Sequence, residues 1–207
     1  DYGIPLLKEM KDPGVEDIKN VTLDYMKSIE DSLKEKGINP PYDIKFDDSY
    51  LNFCYNYLDN YQDTTINPLF IWYTNYLDSC YNEGLVTQEF VGYSTDIFRL
   101  ASVEDLDGLE NLSEVIYKSN LKDLEIAILL SEISIAEHSM MYWNNLSKET
   151  VISIGTFILL CDLSGAAWGT LTGWSNGDWE DFWDFAADLM QGAVGWNSAG
   201  CIGTLYN

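Results

Sequence analysis

Basic residues are scarce in this chain. Its 207 residues carry 11 Lys and Arg against 34 Asp and Glu, a formal charge of -23. Nucleic-acid binding is excluded on that ground, because phosphate recognition needs clustered Lys and Arg. Electrostatic docking on anionic lipid needs a polybasic patch and is disfavoured for the same reason. There is one His and one Arg, which removes most catalytic constellations. Neither the G-x-S-x-G nucleophile turn nor the H-E-x-x-H zinc motif is present, and Glu-x-x-His pairs are absent as well. The four Cys (Cys54, Cys80, Cys161 and Cys201) show no C-x-x-C spacing, so a structural zinc is not expected. Buried thiols are the favoured reading, with Cys54 placed about one helical turn from Cys80 as the best candidate pair for a bridge. No metal and no cofactor is expected from these patterns.

What is present reads as helix. Apolar residues make up 46% of the chain, enough for a packed core at this length. Asp12-Pro13 suits the start of a helix whose stripe is Val15, Ile18, Val21, Tyr25, Ile29 and Leu33, closed by Gly37. A second follows Asp47 and Asp48, with Leu51, Cys54, Tyr55, Leu58 and Tyr61 on one side. Asn67-Pro68 opens a third that runs to Gly84, and Thr87 caps a fourth over 88–100. Ser102 with Asp105 resembles a capping box before a fifth helix, whose stripe is Leu106, Leu109, Leu112 and Ile116. A sixth, over 121–145, is apolar on most sides and is expected to be central. No alternating strand run with hairpin turns is visible. The expected fold is an all-α bundle of seven or eight helices.

Composition shifts at Lys148, the last basic residue. Beyond it lie nine of the 15 Gly and five of the seven Trp. This divides the chain into a helical bundle over 1–147 and a helical hairpin over 148–207, packed together as one unit. The hairpin's helices fall at 151–174 and 178–205, with Ser175-Asn176-Gly177 as the turn. Gly165, Gly169 and Gly173 recur every four residues, and Gly195, Ala199 and Gly203 repeat that spacing in the next helix. Each interior Gly costs about 1 kcal/mol relative to Ala. The usual gain is close backbone approach along a smooth ridge, so these six are the expected helix-packing residues. Trp174, Trp179 and Trp183, with Asp181, Asp184 and Asp188, form a candidate interaction face. Residues 151–161 carry no charge but fall short of the ~20 needed to span a bilayer, and the longer run includes Asp162.

Candidate chemistry is thin. His138 follows Ser134 by four, so the two share a helix face, but no orienting acid is apparent. Residues 103–114 partly imitate a calcium loop through Asp105, Asp107, Gly108, Asn111 and Glu114, but Val103 stands where an acid is needed. Asn20, Asn111 and Asn145 begin glycosylation sequons, relevant only to a eukaryotic secreted protein.

Residues 123–145, "DLEIAILLSEISIAEHSMMYWNN", lead into "CDLSGAAWGTLTG" and "GAVGWNSAGCIG". With Ser139, Tyr142, Trp143, then Asp162, Gly165 and Ala166, this resembles small secreted or lipid-anchored helical proteins of Bacteroidetes with a Gly-rich tail. The tail here holds more Trp and Asp and fewer Gly than that pattern. The resemblance implies a compartment, secreted or cell envelope, rather than a mechanism. The start at Asp1, without a signal-peptide pattern, is what a processed or trimmed chain would show. The leading expectation is a non-enzymatic bacterial protein that binds a protein partner or a membrane through its C-terminal hairpin. The alternatives are a secreted antibacterial membrane-active protein and a hydrolase using paired carboxylates.

Overall fold

A computed structural model describes residues 66–146 and 152–177, together with Asn20, Lys27, Asp31, Lys34, Glu35, Gly37, Asp184, Phe185, Ala186, Asp188, Leu189, Gly192 and Ala193. Five helices are continuous: α1 (Ile66–Asn82), α2 (Gln88–Ser102), α3 (Leu106–Tyr117), α4 (Asp123–Leu146) and α5 (Ile152–Asn176). Among the described residues there is no strand, so this part of the fold is all-α. The described positions from Asp184 to Ala193 are helical too. So are Asn20, Lys27, Asp31, Lys34 and Glu35, before Gly37 in the left-handed region at φ 78°. The second expected helix, at 47–61, lies outside the described residues.

Local chemistry sets the helix ends. The Thr87 side chain accepts from the Phe90 N–H and caps α2, as its position implies. Gly84, at φ 76°, ends α1: its N–H donates to the Tyr81 carbonyl while the Leu85 N–H reaches back to Cys80. The same pair of bonds ends α2, from Glu104 to Ala101 and from Asp105 to Leu100, but Glu104 occupies the left-handed position at φ 57°. The expected capping box is therefore displaced. Ser102 is the last residue of α2 and donates to the Arg99 carbonyl, while Asp105 caps α3 by accepting from the Gly108 N–H. The calcium-loop reading falls with it, because 106–117 is unbroken helix with Leu109 and Ile116 in the core. Asp105 and Asp107 are an N-cap and a first-turn acid.

α2 touches each of the other four helices, and α5 packs on α1, α2 and α4. The centre is thus shared between α2, α4 and α5 rather than held by α4 alone. The core runs from Tyr73 and Leu77 of α1 through Phe90, Ile97 and Phe98 of α2 to Ile128 and Leu129 of α4 and Leu160, Leu163 and Leu171 of α5. α5 is apolar around its circumference, and from Leu159 to Gly173 all but Trp168 and Thr172 are buried. A helix of that kind is stable only where every side is covered.

Candidate functional site

Three polar residues recur every seven positions along α4, on one face of a mostly apolar helix. Each makes a different connection. Glu125 is fully buried and bonds two backbone N–H groups, that of Thr87 at 2.6 Å and that of Lys122 at 3.2 Å. Those N–H groups begin α2 and α4, so one carboxyl ties two helix N-termini, where negative charge is favoured. Ser139 donates to Asp162 of α5 at 2.9 Å.

Between them lies Glu132, with no exposed surface. Its Oε2 accepts from Ser94 of α2 at 2.8 Å and from Tyr73 of α1 at 3.4 Å, and the Tyr73 and Ser94 hydroxyls share a 2.5 Å hydrogen bond. Its Oε1 has no hydrogen-bond partner. Burial raises the Glu132 carboxyl to about 8, although both hydroxyls oppose that rise. The Tyr73 hydroxyl is pushed up by its own burial and then by Glu132. The Tyr73 ring stacks on Phe98 at 5.1 Å, and Phe98 meets Phe70 at 5.3 Å. The Arg99 guanidinium lies over the Phe70 ring, 5.6 Å from its centre. A carboxyl with a raised pKa is what an acidic hydrolase needs, but Glu132 has no exposed surface and is not set in an open cleft.

The C-terminal elements meet through glycine. A methyl group on Gly169 would collide with the Asp188 carbonyl oxygen and lie 3.1 Å from the Gly192 Cα. One on Gly192 would collide with the Gly165 carbonyl and lie 3.2 Å from the Ala166 Cα. Two helical backbones therefore touch with no side chain between them. Gly165 and Gly169 sit in this contact, and Gly173 is buried on α5. Gly195, Ala199 and Gly203 lie outside the described residues. Gly192, three residues before Gly195, was the missed partner; the sequence signal was its own small size on that helix.

The candidate interaction face is only partly described. Trp174 is half-buried, with the Lys122 ammonium 5.7 Å from its ring centre. Asp184 and Asp188 are half-buried, while Trp179, Asp181 and Trp183 lie outside the described residues. His138 does not pair with the Ser134 hydroxyl: its Nδ1 is 2.7 Å from the Ser134 backbone carbonyl, on the exposed side of α4. Asn111 turns its amide onto the Asp107 carbonyl at 2.8 Å. Cys80 and Cys161 are buried and outside any disulfide, while Cys54 and Cys201 lie outside the described residues. Burial raises the Cys80 thiol. Among the described residues no cluster of His, Cys, Asp and Glu could hold a metal ion.

Sequence reasoning missed Glu125 and Glu132. Their signal was available: two acids and a Ser at sevenfold spacing in a helix otherwise suited to burial. A groove of about 330 Å³ also lies between α1 and α2, lined by Asp78, Tyr81, Gln88, Gly92, Asp96 and Arg99. Its one cation is only 3.7 Å from Asp96. Comparison with protein-family models, curated proteins and solved structures finds no match to this chain.

Proposed function

We propose that this chain acts by association, with a protein partner or a membrane, through α5 and the helical segment that follows it. The observation that supports this is the backbone contact of Gly165 and Gly169 with Gly192, made by a helix that is apolar on all sides. A pair joined in this way keeps its own interface when its surroundings change from protein to lipid or to a partner's surface, because close packing of small residues does not depend on water. Among the described residues no helix is long and apolar enough to cross a membrane. On this reading the whole chain is a bundle of seven or eight helices closed by a glycine-bearing hairpin, secreted or held in a bacterial envelope, as the resemblance implies.

Cys161 reports on the proposal, since it lies in α5 with no exposed surface. The intact protein is mixed with phosphatidylcholine vesicles, which carry no net charge, at neutral and acidic pH, floated, and treated with a thiol reagent, and the labelled residue is mapped. The expected result is co-flotation with Cys161 labelled in the bound fraction only. Labelling in the absence of flotation, induced by a candidate partner, points to the protein arm. Cys161 protected throughout makes α5 permanent core, and the reading fails.

A further inference from the structure

Glu132, Ser94 and Tyr73 come from three different helices and none has exposed surface. The carboxyl has two hydroxyl neighbours, both directed to Oε2, and Oε1 is left without a partner. From α1 it faces Tyr73, with Tyr76 one turn further acting on that ring; from α2 it faces Ser94. On α4 the nearest acid on the same face is Glu125, two turns away and bound to backbone N–H groups. Asp162 of α5 bonds Ser139, two turns the other way. No charged group of α3 or α5 acts on its titration. Among the described residues an anion here has two donors and no cation, in a medium that penalises unpaired charge. The neutral acid instead contributes a proton, so Glu132, Ser94 and Tyr73 can close a ring of hydrogen bonds.

We propose that the Tyr73–Ser94–Glu132 cluster is a pH-sensitive lock on the bundle, closed while Glu132 holds its proton and loosened when that proton is lost. The lock clamps α1, α2 and α4 at one point. Acid tightens it and alkali opens it. The raised carboxyl, near 8, places the opening on the alkaline side of neutral. The sign follows from linkage. An unfolded Glu titrates near ~4.3, so the folded chain holds one extra proton between there and about 8. The stabilisation is complete below the lower value and is lost as pH rises through the upper one. This inference goes beyond the association reading and is tested without lipid or partner.

Urea unfolding of the intact protein and of Glu132→Gln is compared from pH 5 to pH 9. Relative to the variant, the wild-type folding constant is expected to fall about tenfold per pH unit up to pH 8 and then level off. Parallel curves overturn the proposal. Should the variant not fold, infrared spectroscopy of the wild type decides: a protonated-carboxyl band is expected in the folded protein at pH 7 and should vanish through pH 8. Its absence at pH 7 also overturns the proposal. Ser94→Ala removes a donor that favours the anion, so the band should persist to higher pH.

Discussion

Glu125 shows how much one side chain can organise when its two oxygens serve different helices. Its oxygens accept from the Thr87 and Lys122 N–H groups at 2.6 and 3.2 Å, in a place with no exposed surface. Both N–H groups belong to the set that every helix leaves without an internal partner. Glu125→Ala strands both, and the expected loss is about 3 kcal/mol, at ~1.5 kcal/mol for each charge-assisted bond. Glu125→Gln keeps one carbonyl acceptor and turns an amide N–H toward the other donor, so about half the loss is expected. Urea denaturation of the three proteins measures it, and equal stability of Glu125→Ala and the wild type would remove the double-cap assignment. Glu104 works on a smaller scale. It holds a left-handed conformation that costs an L-residue about 1 kcal/mol, and its carboxylate accepts from Thr156 of α5 at 2.7 Å. That bond favours Glu over the Gly usual at such a helix end.

At the scale of elements, glycine has opposite meanings in two helices. Gly92 of α2 faces open space, with nothing within 4 Å of where a Cβ would stand. Gly169 of α5 faces the Asp188 carbonyl at collision distance. Gly92→Ala should therefore stabilise the protein by about 1 kcal/mol through helix propensity alone. Gly169→Ala gains the same propensity but forces the two backbones apart, and a net loss of about 2 kcal/mol is expected. Thermal unfolding of the two variants, read side by side, should show shifts of opposite sign; a rise for Gly169→Ala would mean that the helices do not meet there. The helices themselves are legible in the sequence, because Asn67-Pro68, Thr87 and Gly84 mark ends and the apolar residues between them recur at threes and fours. The start of α3 is harder to read, since Ser102 and Asp105 are both good caps. The choice between them rests on Glu104 turning left-handed, which residue identity opposes. Gly165 and Gly169 of α5 stand out by their fourfold spacing, whereas the Gly192 they meet depends on how two helices cross, which no one-dimensional period encodes. Glu132 shares a sevenfold spacing with Glu125 and Ser139, but that period does not say which side of α4 is buried until the helices around it are assembled.

The whole molecule carries a charge of -23, and that excess sets its response to salt. Opposite charges do little to offset it among the described residues. The Arg99–Asp96 and Lys118–Glu114 pairs span 3.7 and 2.9 Å, but their side chains are more than half exposed, where such pairs contribute ~0–1 kcal/mol. Compacting so many like charges costs free energy that the unfolded chain partly avoids by spreading them. Salt shortens the reach of that repulsion, from ~30 Å at 0.01 M to ~8 Å at 0.15 M. Screening should therefore stabilise the fold more than it weakens the two exposed pairs. The urea midpoint at pH 7 is expected to rise between 10 and 150 mM NaCl, and a fall would show that attractive pairs govern the surface. The Glu132 lock is separable from this effect. A sealed carboxyl is screened little by salt, so the difference between wild type and Glu132→Gln should be the same at both concentrations, while the midpoints of the two proteins move together.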